Sequence, residues 1–247
     1  MRITFIILQL ILATAAWSQP ARDCSNSKIY SGYISGDMNF WKNAMIEVEE
    51  AYSKTSDPCH LFTLIEARYG YIGYLFGTGS KSDVKPVVDT FEIDLEALAA
   101  FPQYRAETEA FRVALLGFRM GLNPARAISL GPKALKQLDI AMEVGSNSAA
   151  VWIEKANSEA NMPAFAGGSK TKAVESFKEA LRLFESDPDL SAFNWRYLNT
   201  IVLLGQTYEK LDDYREAREA YRKALKREPS FSWVRDELLP AIEKKLE

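Results

Sequence analysis

Between Ile201 and Pro229 small and large side chains follow one another at spacings that few folds accept. Leu204, Gly205 and Tyr208 fall on one face of an apolar helical segment. Ala217, Tyr221 and Ala224 fall on one face of a second segment, and Pro229 closes it. Two antiparallel helices lie close only where small residues meet, so Gly205, Ala217 and Ala224 mark contacts, and Tyr208 and Tyr221 fill the space around them. Pro229 ends the second helix, since its ring and missing N–H do not continue an α-helix. One such hairpin cannot bury its own apolar face, so it requires stacked neighbours of the same kind.

The rest of the chain supplies them. Second-helix anchors fall at Ala44, Phe91, Ala134, Ala173 and Ala217, at intervals of 47, 43, 39 and 44 residues. First helices are expected over His60 to Phe76, Gln103 to Gly121 and Ser148 to Asn161, with partners over Val84 to Phe101, Lys133 to Val144 and Lys170 to Phe184. The helix from Phe40 to Lys54 reads as a second helix, so the array starts with half a repeat. Phe231 to Leu246 is a candidate cap for its exposed end. The expected fold is therefore all-α, a solenoid of antiparallel helix pairs with expanded inter-helix loops. The expected division is 1–18 signal peptide, 19–39 N-terminal strap, 40–230 repeat domain and 231–247 capping helix. Gly70 and Gly73 each cost about 1 kcal/mol in a helix interior, which leaves close packing or a broken helix as explanations.

The N-terminus reads as an export signal. Met1 and Arg2 give a positive start, Ile3 to Ala13 is apolar except for Thr4 and Gln9, and small residues at Ala16 and Ser18 suit a peptidase. Cleavage is expected after Ser18, with Ala16 as the alternative. An uncleaved anchor would need about 20 apolar residues to span a bilayer. Cys24 and Cys59 are the only cysteines. In an exported protein an even count favours a disulfide between them, with two free thiols as the alternative.

No apparatus for chemistry is visible. Gly77 to Ser82 resembles a phosphate loop, but Leu75 and Ser80 occupy the two glycine positions the motif needs. The single histidine, His60, adjoins Cys59, and helix neighbours point in different directions, so they do not form a nucleophile–base pair. Neither a metal-ligand spacing nor a cofactor motif is present, and no enzyme activity is expected. A net charge of -3 argues against nucleic acid as a partner and against a polybasic membrane contact.

The Ile201–Pro229 spacing resembles the tetratricopeptide repeat, W-x2-L-G-x2-Y…A-x3-F…P, with Ile201 in the Trp slot and Tyr221 in the Phe slot. The intervals exceed the family's 34 residues, and the excess lies in inter-helix loops that project from one side, often the binding side. Pro163, Phe165, Gly167, Gly168, Lys172 and Ala173 are similar to an inter-helix loop, P-x-x-F-G-G-x-x-x-K-A, of exported bacterial proteins with this repeat. That group includes the helical-repeat component of tripartite ATP-independent periplasmic transporters. Here Ala166 is inserted between Phe165 and Gly167. The resemblance implies a non-catalytic periplasmic scaffold or adaptor that binds a protein or peptide through its concave groove and loops. The alternative it implies is a small-ligand component serving a membrane transporter or envelope complex. Aligned on the repeat, Tyr71, Arg112, Arg119, Asn157 and Gln206 face the groove. Arg112 and Arg119, two turns apart, would suit a carboxylate. Tyr69, Tyr71, Tyr74, Trp152 and Trp195 are aromatic residues that either pack or line a pocket.

Overall fold

The computed structural model describes residues 27–78 and 81–247. The proposed signal peptide, residues 19–26 of the strap and Cys24 lie outside those residues. The described chain is helical throughout. The helices are α1 (Ser27–Ser35), α2 (Met38–Thr55), α3 (Pro58–Gly77), α4 (Lys81–Leu98), α5 (Arg105–Leu122) and α6 (Ala127–Gly145). They are followed by α7 (Ala149–Asn161), α8 (Lys170–Glu185), the single turn α9 (Pro188–Ser191), α10 (Trp195–Glu209), α11 (Tyr214–Arg227) and α12 (Leu239–Leu246). A π-helical turn, Val234–Leu238, leads directly into α12. No strand occurs among the described residues.

Helices pack in sequence-adjacent pairs, α3 with α4, α5 with α6, α7 with α8 and α10 with α11, and the pairs stack on one another through α4–α5, α5–α7 and α8–α10. This is the one-dimensional logic of a solenoid, in which each unit covers the apolar face of the next. The opening hairpin behaves as its spacing requires. Ala217, Tyr221 and Ala224 are fully buried, and a Cβ added at Gly205 would lie 2.5 Å from Tyr221 Cε1. Such a contact is shorter than carbon atoms tolerate, so only glycine lets α10 and α11 approach this closely.

Local chemistry sets the helix starts. The Asp37 carboxylate accepts from the Asn39 and Phe40 N–H groups, and Asp57 accepts from the Cys59 N–H with Pro58 in the first helical turn. Both satisfy donors that the helix leaves unpaired. Two elements differ from the sequence reading. Within the expected strap, Ser27–Ser35 forms a helix that packs on α2 and buries Ile29 and Tyr30. Helix α6 begins at Ala127, before the Gly131-Pro132 pair that reads as a breaker. Pro132 removes one N–H close to the helix start, and the continued helix buries Leu130 and Ala134.

The array also closes on itself. Helix α1 packs on α2 and also on α10, far along the chain. The Tyr30 hydroxyl donates to Glu228 Oε2 at 2.8 Å, and Ser232 Oγ donates to the Ile34 carbonyl at 3.1 Å. The first described helix is thus joined to the C-terminal units.

Candidate functional site

Beside that contact lies a cavity of about 730 Å³ that is partly open to solvent. Helix α3 forms one side. Tyr69, Gly70, Gly73, Tyr74 and Gly77 recur at three- and four-residue steps and so share a face. Trp195, Asn199 and Leu203, four apart on α10, form the opposite side. Tyr33 from α1, Met38 and Trp41 from α2, Phe118 from α5 and Asn157 from α7 complete the lining with Ser232 and Trp233, and the exposed Asp236 and Glu237 stand at its solvent-facing rim.

The glycines explain the space. Gly70 sits against the rings of Trp195 and Trp41, which an added Cβ would meet at 2.8 and 2.9 Å. Helix α3 is therefore unbroken, and close packing is the reason for Gly70. Gly73 and Gly77 have nothing within 4 Å of an added Cβ, because they face the cavity. At the closed end Trp41 and Trp195 meet edge to face at 5.0 Å, and Tyr33 lies 5.9 Å from Trp41 and 5.5 Å from Trp195. Such offset geometries suit the charge distribution of aromatic rings. The Trp41 indole N–H donates to the Ala67 carbonyl at 3.1 Å, which fixes that ring.

Behind the wall lies a buried polar network. Asn157 Nδ2 donates to the Tyr69 hydroxyl at 3.1 Å. Arg196 donates to Glu66 at 2.9 Å and lies over the Phe111 ring at 4.9 Å. Burial pushes the Glu154 carboxyl up to about 7, although Tyr69, Arg196 and Asn157 pull it the other way. Burial also raises the Tyr69 hydroxyl well above its ordinary value, and raises Glu66 despite the attraction of Arg196.

Of the expected groove residues, Asn157 lines the cavity. Tyr71 does not line it and stacks on Tyr74 with ring centroids 5.9 Å apart. Gln206, half-buried on α10, does not line it. Arg112 donates to Glu109 at 2.8 Å and reaches Glu96 at 3.4 Å, and Arg119 pairs with Glu92. Both arginines therefore hold α5 to α4. Among the aromatic candidates Tyr69, Tyr74 and Trp195 line the cavity, whereas Trp152 donates to the Ser146 carbonyl at 2.8 Å. The residues that the sequence did not single out for the site are Tyr33, Trp41, Asn199, Trp233 and Glu237. A hint existed in the α10 register, where Asn199 and Leu203 follow Trp195 at four-residue steps.

The inter-helix loop is a separate feature. Ala164–Ala166 forms a 3-10 turn that absorbs the inserted Ala166, and the Gly168 N–H donates to the Pro163 carbonyl at 3.1 Å. Gly167 has φ +97°, and a Cβ on Gly168 would strike the Met162 carbonyl oxygen at 1.8 Å, so both positions need glycine. This turn holds Phe165 95% exposed. Neither Pro163, Phe165, Gly167 nor Gly168 lines the cavity. Cys59 has no free thiol, while Cys24, its expected partner, lies outside the described residues.

Residues 202–231 match the family model of the tetratricopeptide repeat. The chain is an all-α solenoid of tetratricopeptide-like helix pairs. Two solved structures are similar to it. One is the HusA haemophore from Porphyromonas gingivalis, with TM-score 0.57 and 16% identity over 77% of this chain and 96% of that one. The other is a thermophilic tetratricopeptide protein from Thermus thermophilus, with TM-score 0.52 and 19% identity over 89% of this chain and 97% of that one. At these identities the likeness carries the fold. No curated protein matches the chain in sequence. Tetratricopeptide solenoids bind through their concave side and their loops, and this chain carries a feature of interest in each place. Among the described residues no group of histidine, cysteine and carboxylate side chains could hold a metal ion, and no helix is long and apolar enough to cross a membrane.

Proposed function

We propose that the chain is a non-catalytic binding protein that holds one small, largely apolar ligand in the cavity between α3 and α10. One observation carries this reading: α1 meets α10 and the C-terminal segment, and an aromatic-lined cavity lies there between α3 and α10. Its volume lies within the range of about 300–1,000 Å³ usual for small-ligand sites. An open groove for an extended peptide would leave the ends of the array apart. Of the polar side chains that line the space, Asn157 and Asn199 are partly committed to tyrosine hydroxyls.

The name of the Porphyromonas structure implies haem as its cargo, and the lining here does not suit that ligand. The two carboxylates of a haem would find no lysine, arginine or histidine among the described lining residues, and they would meet Asp236 and Glu237. The N-terminal sequence supports export, with the mature protein acting in a periplasm. A protein partner is a second reading, supported by Phe165. An aromatic side chain held outward by a hydrogen-bonded loop suits a contact with another protein, of the kind a transporter or envelope complex would provide.

The test uses the neutral probe N-phenyl-1-naphthylamine, whose fluorescence rises in apolar sites. One saturable site is expected on the wild type. Gly73→Phe fills the cavity where an added side chain meets nothing, and it should abolish that site with the helical content unchanged. Equal binding by both proteins would refute the reading.

A further inference from the structure

We infer that this cavity selects an organic cation that carries an aromatic or alicyclic ring system. The inference rests on the ligand-binding reading above and adds the charge of the ligand. The observation is an asymmetry in the lining. Three tryptophan and three tyrosine residues line it, two carboxylates stand at its solvent-exposed rim, and neither lysine, arginine nor histidine is among the described lining residues.

The positions make this asymmetry effective. Asp236 and Glu237 come from the π-helical turn at the open side, and Trp233 lies four residues before Glu237 on the same turn of the chain. Tyr74, 42% exposed, belongs to the facing end of α3. Asp236 is partly neutralised by Arg235, whose Nε and Nη2 each donate to it at 2.7 Å. Glu237 makes no ion pair among the described residues, so its charge is available to a ligand. A ring system would enter toward Trp41 and Trp195, with its cationic group left at the mouth beside Glu237. Aromatic faces attract cations through the ring quadrupole, and they do so best where water is partly excluded. The same faces and carboxylates repel an anion, so the lining discriminates by repulsion as well as attraction.

The test uses three pyrene probes of nearly equal shape: (1-pyrenylmethyl)trimethylammonium, 1-pyrenemethanol and 1-pyrenesulfonate. Energy transfer from the tryptophans to pyrene reports binding to the full-length mature protein. The cation should bind at least tenfold more tightly than the sulfonate, with the neutral alcohol between them. Glu237→Gln should reduce the cation-to-sulfonate ratio threefold or more and leave the alcohol unchanged. Glu243→Gln, at a carboxylate paired with Arg222 and absent from the lining, should leave the ratio unaltered. A sulfonate that binds as well as the cation, or a ratio indifferent to Glu237→Gln, would overturn the inference while the alcohol still confirmed a ligand cavity. Failure of all three probes to bind would overturn the inference and the cavity reading together.

Discussion

The Tyr33 hydroxyl on α1 donates to Asn199 Oδ1 on α10 at 2.9 Å, across 166 residues of sequence. This bond ties the first described helix to the last helix pair and forms part of the cavity wall. Tyr33→Phe should therefore cost about 1 kcal/mol in urea unfolding, the usual net worth of a partly buried hydrogen bond. In a double-mutant cycle with Asn199→Ala, the second substitution should add little once the first is present. Strictly additive losses would mean that the bond does not hold the ring closed.

Two glycines one helical turn apart should respond in opposite directions. At Gly70 an alanine methyl would press on Trp195 and Trp41, and overpacking of this kind costs about 1–3 kcal/mol. At Gly73 a methyl meets nothing, so Gly73→Ala should gain about 0.5–1 kcal/mol from helix propensity. Thermal denaturation of both variants checks the pair. Equal destabilisation would contradict the cavity at Gly73.

Glu154, 3% exposed, carries a folded-state pKa of about 7 against an ordinary value of 4.5. Tyr69, Arg196 and Asn157 face it, and Glu66 lies beyond Arg196. A carboxyl whose pKa is raised by folding holds its proton in the folded state where the unfolded chain has released it. Stability from this group is thus greatest below pH 4.5 and falls as pH rises toward 7, by up to about 3 kcal/mol. Glu154→Gln removes the charge. Its stability relative to wild type should improve between pH 4.5 and 7.5 in parallel denaturation series. A difference that is flat across this range would show that Glu154 is stabilised as the anion.

The two cysteines give a prediction about covalent structure. The mature protein should have a mass consistent with cleavage after Ser18 and a further deficit of about two hydrogens for the Cys24–Cys59 bond. Loss of the bond through Cys59→Ser should cost about 3–4 kcal/mol on the chain-entropy estimate for its loop of about 35 residues. Alkylation of both cysteines under denaturing conditions without prior reduction would contradict the pairing.

The sequence showed the repeat because its signals are local. Gly205 and Tyr221 meet within one hairpin, and the interval between them fixes both helices. Ser169 and Asp213 cap helices through neighbouring N–H groups. Asn157 was placed toward the cavity side by register alone. Arg112 and Arg119 do share one face, as their seven-residue spacing requires, but that face meets Glu92 and Glu96 of α4, and no short-range rule identifies those partners. The cavity itself was out of reach because it depends on closure. Tyr33, Trp41 and Trp233 become wall residues only when α1 meets the C-terminal turn, and residues so far apart in sequence leave no periodic trace. The aromatic rings that line a site and those that merely pack have the same helical spacing, so only the open space beside Gly73 separates Tyr74 from Tyr71.

The central claim is that the cavity holds one small molecule, and native mass spectrometry tests it most directly. The protein should be exported to a bacterial periplasm, purified without denaturant or detergent, and sprayed from a volatile buffer beside Gly73→Phe. The account predicts a single retained small mass on the wild type, lost on collisional activation and missing from the variant. A wild type that retains no small mass, or the same mass on both proteins, would contradict it.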